Sequence, residues 1–249
     1  MDDAENRGVD GKGVGIGLRV PATRLGRVAN TGLDDPEAAP EEPEIGDARG
    51  GGRLQKKLAD AVAEEQAKHP DTPVEAFATD EHRIGLKPIL RCVWAPCGQR
   101  PIAPGHHRYE WLYITAFVSP ATGETSWYVS NGVSKPMFQA VLDAFAHEAG
   151  AGKDRIILLV LDNAGWHTEP GLVVPEGIRL VYLPPYSPEL QPAEHLWELV
   201  DEPVVNKHFN SIDDLQSVIE TRCVVLANDP AATKNATGFY WWPKTTKPT

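Results

Sequence analysis

The apolar run IILLVL at positions 156–161 constrains the fold of this 249-residue chain more than any other stretch. It contains no polar residue that could face water, so a strand formed here has to be covered on both faces. It is also far too short to cross a membrane. The run therefore predicts a central strand over 155–162, with helices on both sides of its sheet, that ends at the acidic residue Asp162.

Several β-rich segments surround this central strand. The segments before it are 74–80, 89–94, 111–119 and 125–132, and turn-forming sequences such as APCGQRP and SPATGE lie among them. Strands joined in this way are typical of an antiparallel meander. The first segment ends at Asp80, and another short strand is expected over 178–185, after the central one.

Helical patterns fill much of the remaining chain. They cover 53–68, 134–150 and 211–229, the last two with a serine at the start. A further helix is expected to begin at Pro192, because proline suits the first turn of a helix. This order of elements predicts an α/β fold in which a mixed sheet is flanked by helices.

Residues 1–52 differ in composition from the rest of the chain. They hold half of the 22 glycines, more acidic than basic residues, and little aromatic or periodic apolar content. Such a segment cannot bury enough apolar surface to form a core. We therefore expect residues 1–52 to be a disordered, low-complexity segment that is dispensable for folding, and residues 53–249 to form the folded domain.

Charge and cysteine content argue against several classes of protein. The net charge of −11 argues against a simple nucleic-acid coat protein, but basic residues still cluster locally. The three cysteines form no C-x-x-C pair, so they predict reduced thiols in a cytoplasmic protein. The first residues, MDDAENRG, lack the basic and apolar stretches of a signal peptide, and no membrane association is expected.

Three acidic residues lie at the ends of predicted elements. Asp80 and Asp162 each end a strand, and Glu194 lies in the first turn of the helix after LPPYSPELQP. Ligands of open α/β sheets gather at the carboxyl ends of strands, so the two aspartates face each other if their strands are neighbours. Converging carboxylates repel one another, and oxygen-bound magnesium or manganese removes that conflict. Two such ions about 3.5–4 Å apart can support phosphodiester chemistry.

Each of these acids also has a simpler interpretation. Aspartate is common in turns after strands, and an acid in the first turn of a helix complements the helix dipole. The position of any one acid therefore does not separate a structural from a catalytic role.

The wider motifs around the acids resemble those of a known enzyme family. FATDEHRIGL, VLDNAGWH and LPPYSPELQPAEHLW resemble, in order and spacing, the DDE transposases of the mariner superfamily, and are most similar to its bacterial insertion-sequence branch. The resemblance runs from about residue 53 to residue 243 and includes NKHFNSIDDL and TGFYWWP. Gln191 stands where the family usually has asparagine, and either residue can cap a helix or form hydrogen bonds.

This resemblance implies a ribonuclease H-like fold and an enzyme that cleaves DNA at the ends of a mobile element and transfers the strands. It further implies that Asp80, Asp162 and Glu194 hold two magnesium ions, with manganese as a substitute. The implied partners are the DNA of the terminal repeats, target DNA with a short TA sequence, and a second copy of the chain in a homodimer.

Other side chains near these motifs are candidates for contacts with DNA. They are Arg83, Lys87, Arg100, Arg108, Asn163 and His167. Asn163 and His167 lie where they could instead orient water or metal ligands. Glu81 is expected either to support Asp80 or to be an exposed turn acid, and Trp166 is expected to pack. Family members usually carry helix-turn-helix modules before the catalytic domain. Residues 1–52 show no pair of periodic helices, so we expect that module to be lost or encoded in another reading frame.

Two other functions are compatible with the same residues. One is a catalytically silent or truncated remnant that only binds DNA or assembles with it. The other is a general ribonuclease H-like hydrolase of structured nucleic acid. Metal-dependent nicking separates the transposase from the remnant, and a requirement for terminal repeats separates it from the general hydrolase.

Overall fold

The structure is a computed structural model that describes residues 48–93, 97, 102, 108–168, 171–185 and 187–245. Its strands are Val74–Gly85 (β1), Trp111–Val118 (β2), Thr125–Ser130 (β3), Ile156–Leu161 (β4) and Ile178–Tyr182 (β5). Its α-helices are Ala48–Lys68 (α1), Lys135–Glu148 (α2), Leu196–Asp201 (α3), Ile212–Ala227 (α4) and Pro230–Thr237 (α5). Short 3-10 helices lie at Pro188–Leu190 and Pro192–His195. Among the described helices, none has the length and apolar character needed to cross a membrane.

The strands form one mixed sheet in the order β3–β2–β1–β4–β5. β1, β2 and β3 pair as antiparallel neighbours, β4 lies parallel to β1, and β5 lies parallel to β4. This order and these directions are those of the ribonuclease H-like fold, so the predicted fold class is confirmed. The parallel half brings the carboxyl ends of β4 and β5 to one edge of the sheet, where β1 continues past them.

The two faces of the sheet carry separate cores. Residues such as Leu158 and Val160 pack on the side of α1, α3 and α4, whereas Leu159 and Leu161 pack on the side of α2. All six residues of β4 are buried, which confirms the central strand predicted from the run IILLVL. Burial of each such side chain stabilises the fold by roughly 1.5–3 kcal/mol, which accounts for a strand without a polar face.

Several predicted helix ends are confirmed by their hydrogen bonds. The Ser134 and Ser211 hydroxyls accept hydrogen bonds from backbone N–H groups three residues later. Gly150 follows α2 with φ of 68°, a conformation that favours glycine. Helix α5 is not among the predicted helices, because its sequence PAATKNAT has little apolar periodicity. Its start is capped by Asp229, whose side chain accepts from the N–H of Ala232.

Three predicted boundaries differ from the structure. The predicted end of the first strand at Asp80 is wrong, because β1 continues to Gly85 through its pairing with β2. Helix α1 begins at Ala48, inside the segment predicted to be disordered, and the prediction for residues 1–47 lies outside the described residues. The strand predicted over 89–94 is wrong as far as residue 93, where the described chain is irregular. In this segment the backbone N–H and carbonyl groups of Arg91 form hydrogen bonds with the Asn206 side chain instead of with a neighbouring strand.

Candidate active site

The parallel pairing of β1 with β4 places two acidic residues side by side. Ala78 lies opposite Val160 in this ladder, and two positions further along are Asp80 and Asp162. β4 ends at Leu161, whereas β1 continues to Gly85, so a gap opens beside Asp80. A cleft of about 430 Å³ occupies this edge, and Asp80, Asp162 and Glu194 all line it.

The proline-rich segment positions Glu194 through a buried amide. Gln191 is buried, and its Nε2 donates to the carbonyl of Thr79 at 2.9 Å while its Oε1 accepts from the N–H of Ala193 at 3.4 Å. The Gln191 side chain thus connects the turn that carries Glu194 to the residue directly before Asp80. Pro192 is the first residue of this helical turn, as predicted.

Trp197 connects the same helical segment to Asp80. Its indole N–H donates to Asp80 Oδ2 at 2.9 Å. The His82 ring stacks on Trp197, with 4.9 Å between centroids, and His82 Nε2 lies 2.9 Å from Asp201 Oδ1. The sequence pattern identifies Trp197 only as an apolar-face residue. Its spacing of three positions from Glu194, one helical turn, is the signal that could have indicated this second role.

His167 bridges Asp162 and Glu81 beneath the cleft. Its ring has no exposed surface, which argues against a contact with DNA, and its contacts agree with the alternative that it orients a predicted metal ligand. Nδ1 lies 2.6 Å from Asp162 Oδ1 and Nε2 lies 3.0 Å from Glu81 Oε1, so a protonated ring donates to both carboxylates. The Glu81 side chain is 6% exposed, so it is not an exposed turn acid. It also accepts from Trp166 Nε1 at 3.2 Å, so Trp166 is more than a packing residue.

The electrostatics of the cleft follow from these contacts. Burial raises the pKa of Asp80 to about 6, and the nearby Glu81 and Glu194 charges act in the same direction. Burial and the Asp162 charge raise the pKa of Glu194, whereas the hydrogen bond from His167 lowers the pKa of Asp162. Burial alone would lower the pKa of His167. The hydrogen bonds to Asp162 and Glu81 outweigh it and raise that pKa to about 9.

Residues 76–216 match the family model of the DDE superfamily endonucleases. The match spans more than half of the chain and contains all three acids of the cleft. The chain belongs to this family. The predicted family and the predicted class of enzyme are therefore confirmed.

Curated relatives of this DDE endonuclease domain cover different shares of the chain. A 106-residue region, 42% of the chain, is 36% identical to the uncharacterized protein y4pE/y4sA of Sinorhizobium fredii (strain NBRC 101917 / NGR234) and covers 77% of it. A 154-residue region, 59% of the chain, is 29% identical to the insertion element IS630 uncharacterized 39 kDa protein of Shigella sonnei. The chain spans 42% of that protein's length. A match to an insertion-element protein is what the predicted insertion-sequence branch leads us to expect.

Solved structures similar to the DDE domain include two of Mos1. The pre-cleavage Mos1 transpososome is 13% identical with a TM-score of 0.47, covering 83% of this chain and 68% of the Mos1 chain. The Mos1 mariner paired end complex with Mn is 15% identical with a TM-score of 0.47, covering 82% and 67%. The fold assignment rests on the strand order of the sheet itself.

The oxygen donors of this DDE cleft suit a hard divalent cation. Asp80 and Asp162 each have one oxygen fixed by a side-chain N–H donor, and within the described residues the Glu194 carboxylate accepts no hydrogen bond. Among those same residues, no three acidic, histidine or cysteine side chains are close enough to enclose one ion. The carboxylates therefore face one open cleft, and their mutual repulsion is what a bound cation would relieve.

The predicted DNA contacts of this domain lie in different places. Arg83 is exposed and its guanidinium lies 4.6 Å from the centre of the Trp111 ring, and Lys87 is exposed as well. Arg108 is exposed and donates to the carbonyl of Asn210 at 3.4 Å. These three cations do not line the cleft. Their contacts with DNA stay predictions.

Of the two remaining candidates for DNA contact, the structure describes Asn163 but not Arg100. Asn163 lines the cleft, and its amide donates to the carbonyl of Leu183 at 2.8 Å. This bond gives Asn163 a structural role at the rim. The prediction for Arg100 lies outside the described residues.

Replacing Asp80 with asparagine should stabilise the metal-free protein at neutral pH. The pKa of Asp80 rises from 3.8 to about 6 on folding, so its contribution to stability is lost as pH increases through this window. Asparagine removes the charge and keeps an oxygen for the Trp197 N–H. We expect a gain of about 1–3 kcal/mol in the free energy of unfolding at pH 7.5 and little gain at pH 3.5.

Denaturant unfolding in a chelator measures both values. Asp213→Asn removes an exposed acid from the first turn of helix α4 and should lower stability by no more than the helix-dipole contribution of about 0.3–1 kcal/mol. A loss of stability in Asp80→Asn at pH 7.5, or an equal gain at both pH values, would contradict the burial of a costly charge at Asp80.

Proposed function

We propose that this domain is the catalytic domain of an insertion-sequence transposase, which cleaves DNA at the ends of its element and joins the freed strands to a target. The observation that carries the proposal is the meeting of Asp80, Asp162 and Glu194 in one cleft. They come from three separate segments of a chain that belongs to the DDE endonucleases.

We assign the binding of two magnesium ions, replaceable by manganese, to the same three carboxylates. When bound, such ions supply charge stabilisation for the attacking and the leaving oxygen of a phosphodiester. Oxygen-only donors favour these ions over zinc, which prefers nitrogen and sulfur ligands.

The surrounding residues fix the direction of the carboxylates. Asp162 Oδ1 accepts from both His167 and the N–H of Ala164, which leaves Oδ2 to face the cleft. Asp80 Oδ2 is held by Trp197. Side chains that are held by several bonds need little rearrangement when a substrate binds, and this lowers the barrier to reaction.

The proposed reaction has two displacements at phosphorus. In the first, the oxygen of water forms a bond to phosphorus, and the bond from phosphorus to the 3′ oxygen breaks. This leaves a 3′ hydroxyl and a 5′ phosphate. In the second, that 3′ hydroxyl attacks a phosphorus of the target DNA, and a new 3′ hydroxyl leaves. In each step the attacking water or hydroxyl loses a proton to solvent, and the leaving 3′ oxygen takes up a proton from solvent.

The partners of this reaction are proposed from the family resemblance. They are the terminal repeats, a target DNA and a second copy of the chain, with a helix-turn-helix module that recognises the repeats.

Manganese titration tests the metal site without relying on activity. We expect calorimetry to show manganese binding to the wild type and at least about tenfold weaker binding to Asp162→Asn, because one anionic ligand is lost. Asparagine keeps an oxygen for His167, so the fold should persist. Asp213→Asn, with the same charge change on exposed helix α4, should bind like the wild type. Equal binding in all three proteins would contradict the metal site.

Nicking assays separate the proposal from its alternatives. With a recognition module supplied in trans, magnesium-dependent nicking at terminal repeats is the expected result. Manganese binding without nicking would favour a silent remnant. Nicking that is independent of the repeats would favour a general hydrolase.

A further inference from the structure

The first turns of α1 carry an exposed cluster of cations. Arg53, Lys56 and Lys57 lie within five consecutive positions, and all three are exposed. Within the described residues, none of the three forms an ion pair with a carboxylate, whereas Lys68 in the last turn of the same helix pairs with Glu64. The α1 basic cluster, as we call these three residues, therefore holds positive charge that no ion pair among the described residues neutralises.

A groove joins the α1 basic cluster to the catalytic cleft. It has a volume of about 270 Å³ and is lined by Arg53, Leu54, Lys57, Tyr182, Leu183 and Pro184. Leu183 and Pro184 also line the cleft. Lys57 Nζ donates to the carbonyl of Tyr182 at 3.2 Å, which holds the start of α1 against the end of β5. The groove and the cleft therefore share one wall.

The rest of the molecule is negatively charged, so local cations such as the α1 basic cluster decide where a polyanion can bind. The chain has a net charge of −11, and the cleft contains three carboxylates. A polyanion is repelled by such a surface unless local cations contact it. Asp60 and Glu64 lie further along the same side of α1, so the favourable region is limited to the first turns.

We propose that the α1 basic cluster binds the phosphate backbone of DNA and guides one strand into the cleft along Leu183 and Pro184. The inference rests on the proposed function of the cleft, and it identifies the surface that holds the substrate. Three phosphate contacts contribute about 2.7 to the slope of log affinity against log salt, since each contributes about 0.9.

The test compares DNA binding by charge variants of the full chain. Fluorescence anisotropy with a labelled 30-base-pair duplex in EDTA reports binding without cleavage. For the triple variant Arg53→Gln, Lys56→Gln, Lys57→Gln we expect the salt slope to fall by about 2–3 and the affinity at 0.1 M salt to fall about tenfold or more. The charge-preserving variant Arg53→Lys, Lys56→Arg, Lys57→Arg should bind like the wild type.

A matched control separates local from overall charge. Lys153→Gln, Lys234→Gln, Lys244→Gln changes the net charge equally at exposed positions outside the groove, and its salt slope should stay near that of the wild type. A wild-type slope in the α1 triple variant, or equal losses in both triple variants, would overturn the proposal. If the wild-type protein nicks DNA and the α1 triple variant binds DNA as tightly as the wild type, only the role of the α1 basic cluster is refuted. If the α1 triple variant binds DNA less tightly but the wild-type protein never nicks DNA, only the proposed reaction is refuted.

Discussion

Replacing Glu194 with glutamine should lower magnesium-dependent nicking at least about hundredfold and leave the fold intact. Glutamine keeps the shape of the side chain and removes the anionic charge that a cation in the cleft needs. Within the described residues Glu194 accepts no hydrogen bond, and the helix-dipole contribution that is lost is only about 0.3–1 kcal/mol. Its raised pKa acts in the opposite direction, so the variant should be about as stable as the wild type at neutral pH. Nicking rate and thermal unfolding of the same preparations measure the two effects.

Glu198→Gln is the matched control for this prediction. Glu198 is an exposed acid one helical turn later, in α3, and its replacement makes the same change in charge. We expect wild-type nicking in this variant. If Glu194→Gln nicks at nearly the wild-type rate and is slightly less stable, Glu194 only complements the helix dipole, and the proposed triad is wrong.

Replacing His167 with alanine should destabilise the protein by about 3–5 kcal/mol, because it leaves the buried Glu81 carboxylate without its cation. The cost should depend on pH. The folded pKa of His167, about 9, lies above its ordinary value of 6.5. Its stabilising contribution is therefore complete below pH 6.5 and is lost as pH rises through 9. Denaturant unfolding at pH 6 and pH 10 measures this difference.

The surface residue His69 supplies the comparison for His167. Its side chain is 38% exposed and lies 3.9 Å from Glu65, so His69→Ala should cost less than about 1 kcal/mol. A cost for His167→Ala that is small at pH 6, or equal at both pH values, would mean that the ring does not act as a buried cation between Glu81 and Asp162.

The sequence patterns were sufficient for the features that depend on local chemistry. The run IILLVL could only be a covered strand, and serine caps mark the starts of α2 and α4. The position of Asp162 followed from the end of its strand, whereas Asp80 lies within β1, which continues to Gly85. These features were predictable because each rests on a few neighbouring residues and one physical preference.

Contacts between distant segments were not predictable in the same way. Glu81 follows Asp80 directly, but side chains alternate along a strand, so the two acids face opposite sides of the sheet. Asp80 meets Trp197 on one side, while Glu81 meets His167 on the other. Alternation alone argues against direct support of Asp80 by Glu81, but it cannot name His167 as the partner of Glu81.

The error at 89–94 has a similar cause. The pattern is β-rich, but a strand also needs a neighbour with free backbone groups. Asn206, with the unusual φ of 56°, supplies hydrogen bonds to this segment from more than a hundred positions away. Local propensity could not indicate this competitor, because it depends on the tertiary fold.

Two long-range hydrogen bonds hold the cleft together, so the cleft can form only after the later part of the chain has been synthesised. The bond from Gln191 to Thr79 spans 112 positions, and that from Trp197 to Asp80 spans 117. During synthesis, β1 leaves the ribosome long before its partners are made. A nascent chain that ends before Gln191 therefore has two of the three acids and lacks both bonds. A product that terminates there would carry an incomplete cleft, with Asp80 and Asp162 but without Glu194.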